Sequence, residues 1–119
     1  MDAQVKETLA AGGIDVDGML ERCMGSEAIM GKLLKKFPAD TTYVALERAF
    51  EAQDAQAALE ASHTLKGVCG NLSLSALYEL MNLQVQALRE GDMQGAGDMM
   101  PDISLAYAAA VQAIEKSFS

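Results

Sequence analysis

His63, the single histidine of this 119-residue chain, is the side chain with the most chemistry to offer. A neutral imidazole is a nucleophile near pH 7, because its unperturbed pKa is about 6.5. Attack on phosphorus gives a phosphoramidate with a reactive P–N bond, so an accessible histidine suits the carriage of a phosphoryl group between partners. Phosphoryl transfer needs mainly positioning and charge stabilisation, and the neighbours of His63 fit that need. Lys66 follows three residues later, on an adjacent strip of the same helical surface. A cation there stabilises an added phosphoryl group, although taken alone it also reads as an ordinary solvated lysine. Gly67 and Gly70 lie one and two turns beyond His63, about 40° and 20° from it around a helix axis. A glycine inside a helix costs about 0.8–1.0 kcal/mol relative to alanine. In return it leaves a surface without side chains, which lets another molecule approach the backbone and the ring. Gly70 is equally explained as the end of the helix, an explanation that leaves Gly67 unaccounted for. Leu59, one turn before His63, is expected to be exposed beside it and, with Gly70, to form a docking surface.

The element that must present these residues reads as a helix from about Ala55 to Gly70. Ala58, Ala61, Leu65, Val68 and Leu72 recur at steps of three and four and make one apolar seam. His63 lies about 170° from the centre of that seam and should point into solvent. A second helix, capped by Ser73 or Ser75 and reaching Glu90, carries the seam Leu77, Leu80, Met81, Gln84, Val85 and Leu88. Gln84 stands where an apolar residue is the default. It is either a core residue with a polar partner or, with Gln86, a candidate to hold one ring nitrogen of His63 while the other reacts; Asn82 has weaker support.

The remaining pattern is helical too. Short helices are expected over about Asp2 to Ala11, from Asp15 or Asp17 to about Met24, and from Glu27 to Lys36, where Pro38 breaks the chain. Longer ones run from about Ala39 to Ala52 and from about Asp98 to Lys116, the last presenting Ile103, Tyr107, Ala110 and Ile114. The stretch Gly91 to Gly97 reads as a flexible turn between antiparallel helices. No strand-like alternation appears. The fold class is therefore all-α: an up-and-down four-helix bundle with one or two short extra N-terminal helices, and a single domain over residues 1–119.

Composition removes several function classes. The net charge of −8 disfavours a nucleic-acid binder, which needs clustered Lys and Arg, and a surface for anionic lipid. Cys23 and Cys69 are not spaced as a metal pair, Cys69 lies about 120° from His63 around the helix, and no second histidine exists, so no metal site is expected. Two thiols and a start without an apolar run suit a reducing cytoplasm, and no stretch reaches the length of a membrane span. There is no Gly-rich phosphate loop, and a bundle leaves no room for an ATP-binding domain. The chain should thus have no intrinsic cofactor, should not be an enzyme in its own right, and should need a partner both to load and to unload. The bundle needs no second copy to close its core, so a monomer is expected.

The segment Ser62-His-Thr-Leu-Lys-Gly-Val-Cys-Gly-Asn-Leu72 resembles the signature of histidine-containing phosphotransfer (HPt) domains. In that signature His is followed by an apolar residue two places on, then Lys-Gly, then small residues and an Asn-Leu-like pair. The Gly-Ile-Asp stretch, the Leu-rich helix, the short Gly turn and the helix ending near Phe37 extend the likeness over nearly the whole chain. The resemblance implies a four-helix bundle that exchanges phosphate with receiver-domain aspartates in a two-component phosphorelay. By it His63 is the phosphoacceptor, Lys66 supports the phosphoryl group and Gly67 gives access. It also implies response-regulator receiver domains and a hybrid histidine kinase as partners, with Mg²⁺ held by the receiver. Two positions depart from the family: Ser73 stands where glycine is common, and Val85 stands where Gln or Glu would face the histidine. The competing reading is an HPt-like adaptor that docks signalling partners without carrying phosphate.

Overall fold

Short polar side chains placed just ahead of apolar runs set where the helices begin. Asp2 accepts from the Gln4 backbone N–H (2.7 Å), Asp15 from Gly18 (3.0 Å), Ser26 from Ile29 (3.2 Å), Asp54 from Ala57 (3.0 Å) and Asp92 from Gly95 (2.8 Å). Each satisfies an N–H that the first turn leaves without a partner. In the computed structural model, which describes residues 1–118, these caps start α1 (Ala3–Ala11), α2 (Val16–Arg22), α3 (Glu27–Leu34), α5 (Ala55–Asn71) and α7 (Met93–Asp98). Pro38 sits in a 3₁₀ turn, Phe37–Ala39, which separates α3 from α4 (Thr42–Glu51). The remaining helices are α6 (Ser75–Arg89) and α8 (Met100–Phe118). No strand occurs among the described residues.

α4, α5, α6 and α8 form an up-and-down bundle, with α5 packed between α4 and α6 and with α6 packed on α8. Tyr43 of α4 stacks on Tyr107 of α8, their ring centroids 3.9 Å apart, and Phe37 meets the same ring at 5.5 Å. These aromatic contacts bring α4 against α8. Three short helices precede the bundle: α2 closes at Cys23, followed by left-handed Met24 and Gly25, and Ser26 then caps α3. Their buried Leu9, Met19, Met30 and Leu34 join Leu46, Leu65, Leu77, Met81, Ile103 and Ile114 in one core. α1 lies along α8 so closely that a Cβ added at Gly12 would collide with the Cβ of Ala113.

Two expectations for the second half are corrected. Gly91 to Gly97 is not a plain flexible turn: Asp92 caps a real helix, α7, and Ala96 within it is fully buried. Neither Ser73 nor Ser75 caps α6; Leu74 holds that position without a side-chain bond. Ser73 instead closes α5. Its N–H donates to Gly70 O at 3.3 Å, and the next N–H, of Leu74, donates to Cys69 O at 2.9 Å. This pairing satisfies the last carbonyls of a helix and requires a left-handed residue; Ser73 adopts φ +55°. Its own carbonyl accepts from Asp15 N–H at 2.9 Å, which ties the α1–α2 loop to the α5–α6 corner. Left-handed backbone is unfavourable for any residue with a Cβ. Ser73→Gly is therefore expected to raise stability by about 0.5–1 kcal/mol, the relief being partly offset by a freer unfolded chain. Urea denaturation checks this; a lower midpoint would show that the Ser73 side chain contributes more than its backbone strain removes.

Candidate functional site

The side of α5 that is buried differs from its apolar seam. Ala58, Ser62, Leu65 and Cys69 are the buried residues, whereas Ala61, Val68 and Leu72 are only half-buried. Including Ser62 and Cys69 turns the buried sector by about 50°, so His63 lies about 130° from its centre rather than diametrically opposite. His63 remains exposed, now at the shoulder of α5 where α6 comes alongside.

Ser62 is completely buried because it has a partner. Its hydroxyl donates to Gln84 Oε1 at 2.8 Å, while Gln84 Nε2 donates to Ala96 O at 3.0 Å and approaches Met100 Sδ at 3.3 Å. One amide thus joins α5, α6, α7 and the start of α8. This removes Gln84 as a ring-orienting residue: it is fully buried, and both ends of its amide are engaged away from His63. Gln86 is exposed, and among the described residues no hydrogen bond joins it to His63. Gln84→Leu would strand the Ser62 hydroxyl and the Ala96 carbonyl, an expected loss of about 1–3 kcal/mol. Ser62→Ala in the same background should recover part of it. Strictly additive losses in a denaturation double-mutant cycle would contradict the pairing.

Leu59, His63, Lys66 and Gly70 fall at steps of four, three and four and share one strip of α5 facing α6. The antiparallel register between the helices is fixed by Ser62 on Gln84 and by Gly70 under Tyr78. It sets Val85, which is buried, across from His63. Valine has no polar atom to offer an imidazole. The exposed Leu59 expected from sequence is instead half-buried, packed on a small cluster of Ala49, Ala58, Leu88 and Ala96. Gly70 is not open to a visitor either, since a Cβ there would come within 3.1 Å of Tyr78 Cε1. Gly67 behaves differently. A Cβ built on it meets nothing within 4 Å, so the surface one turn from His63 is bare.

A shallow groove runs past His63, lined by Gln56, Leu59, Glu60, His63, Thr64 and Arg89. Arg89, from the last turn of α6, is the functional candidate that the sequence reading missed. It precedes a Glu-Gly stop and looks like an ordinary C-terminal helix cation, so only the α5–α6 register reveals its place near His63. Lys66 stands on the other side of the histidine, its Nζ 6.0 Å from the Tyr78 ring centroid. A nucleophile thus sits in the open between two cations, with no side chain above the following turn. The nearby thiol of Cys69 is no competing nucleophile: burial, with a smaller contribution from Asp40, pushes it up to about 12.

No helix among the described residues is long and apolar enough to cross a membrane. No curated relative and no solved structure matched the chain. The family model of the Hpt domain matches residues 39–116, from the turn before α4 through nearly all of α8. That is about two thirds of the sequence, and it leaves α1 to α3 outside the match. With His63 and the four bundle helices, save the last two residues of α8, inside the matched region, the chain belongs to the Hpt domain family, whose members carry phosphoryl groups in two-component signalling and work with receiver domains and kinases.

Proposed function

We propose that His63 takes a phosphoryl group from the aspartyl phosphate of a receiver domain and returns it to a receiver aspartate. An imidazole nitrogen attacks phosphorus; the P–N bond forms as the acyl-phosphate P–O bond breaks. The aspartate leaves as carboxylate, and the ring proton passes to solvent. The reverse step unloads the carrier. Lys66 and Arg89 place positive charge on either side of the transferred oxygens, where charge-assisted hydrogen bonds are strongest. Gly67 leaves room for the incoming aspartate and for the Mg²⁺ that the receiver holds. A hybrid histidine kinase is a donor of the same chemistry.

The observation that carries this reading is the exposed imidazole standing over the bare surface at Gly67, in a groove that also holds Arg89. The protein mixed with a phosphorylated receiver and Mg²⁺ is expected to gain the mass of one phosphoryl group, labile in mild acid and stable in alkali. A folded sample that gains nothing from a panel of receivers would leave the adaptor reading in its place.

A further inference from the structure

Lys66 has no acidic partner within ion-pair distance among the described residues, where the ion pairs are Met1 with Glu27 and Lys6 with Asp17. What it has is an aromatic face. The ring of Tyr78, itself 37% exposed, lies under the Lys66 ammonium and against the backbone of Gly70. The seat of the ring is cut into α5 by Gly70, where an added Cβ would come 3.1 Å from Cε1 and 3.4 Å from Cδ1.

The direction of this contact matters. Helix side chains lean toward the N-terminus, so Lys66 would by default reach back toward the turn of His63. Gly70, and the ring resting on it, lie one turn on the C-terminal side of Lys66. The ring therefore draws the ammonium away from the histidine. A carboxylate in that place would hold the lysine tightly and compete with a phosphoryl group. A half-exposed ring at this distance attracts a cation only weakly.

We propose that Tyr78 is a positioning residue that parks Lys66 in the unloaded carrier, and that a phosphoryl group on His63 draws the ammonium off the ring. This rests on the carrier reading of His63. It makes Lys66 a mobile counter-charge, engaged only when there is charge to meet. The unloaded state is favoured by the ring contact, so removing the ring favours the loaded state. In exchange with a receiver, Tyr78→Leu is expected to shift the equilibrium toward phospho-His63 by about two- to fivefold. The same change made in Lys66→Ala should have no such effect.

The deciding measurement is the NMR shift of the Lys66 Hε protons. In the unloaded wild type these should lie upfield through the ring current. They should lose that shift in Tyr78→Leu, keep it in Tyr78→Phe, and lose it in Gly70→Ala, which displaces the ring without removing it. Potassium phosphoramidate then loads His63 without a receiver: the P–N bond to the ring forms as ammonia leaves, and intact mass confirms the transfer. The Lys66 signals should move to their Tyr78→Leu positions on loading. Identical Lys66 shifts in wild type and Tyr78→Leu, or a loaded protein whose Lys66 stays upfield, would overturn the proposal alone. A folded protein that takes up no phosphoryl group from either donor would remove the carrier reading and the proposal together.

Discussion

His63→Gln is expected to abolish phosphoryl uptake altogether and to leave stability nearly unchanged. The two halves of this expectation have separate causes. The histidine is the only imidazole in the chain, and the one other soft nucleophile near it, the Cys69 thiol, is fully buried and held protonated by desolvation. Glutamine keeps a polar side chain at the position but has no nucleophilic ring nitrogen. Stability should move by no more than about 0.5 kcal/mol, as for other exposed positions without partners, since His63 makes no hydrogen bond to the described residues. Intact mass after incubation with a phosphorylated receiver reads the first half; thermal unfolding reads the second. Residual acid-labile mass gain in the variant would place the acceptor elsewhere. A large drop in melting temperature would mean that the ring is structurally engaged.

The second large effect is expected at Gly67, where stability and transfer should move in opposite directions. An exposed mid-helix glycine with nothing within 4 Å of an added Cβ gives Gly67→Ala a gain of about 0.8–1.0 kcal/mol from helix propensity alone. On the proposed reading, the same bare surface is where a receiver would bring its aspartate toward the imidazole. Bulk there displaces the reacting atoms, and a misplacement of about 1 Å can cost about 100-fold in rate. Gly67→Leu is therefore expected to slow single-turnover transfer about 100-fold, with Gly67→Ala in between, while both unfold at higher denaturant than wild type. A leucine variant that transfers at the wild-type rate would remove Gly67 from the docking surface. Slower transfer accompanied by lower stability would point to a damaged helix instead.

The sequence made the helices legible because local signals agree: caps at Asp15, Ser26 and Asp54, glycines after α1 and α6, and apolar residues at helical spacing. It made His63, Lys66 and Gly67 legible because a lone histidine and an interior glycine on one face are hard to explain as packing. It failed where polarity and burial part company. Ser62 looks solvent-facing in any apolar count, yet it is buried because Gln84 reaches it from another helix, and omitting it misjudged where α5 turns its core side. Gln84 showed its irregularity in the seam but not its partners, since Ala96 lies in a stretch that reads as a glycine-rich turn and Met100 belongs to the next helix. Leu59, Gly70 and Arg89 share a different cause. Each is defined by what crosses from α6 to α5, and helix–helix register is not written in either helix alone.

Val85 across from His63 has a consequence for how the carrier meets its partners. The amide and carboxylate that line its groove, Gln56 and Glu60, bond to each other, and no hydrogen bond among the described residues holds the imidazole, so its tautomers and rotamers stay open until the moment of encounter. The entropy lost in fixing the ring then falls within the docking step, and the choice of reacting nitrogen passes to whatever group the visiting protein presents. A carrier of this kind discriminates little by itself. On the proposed reading, selection among receivers would rest on how well each one grips the ring.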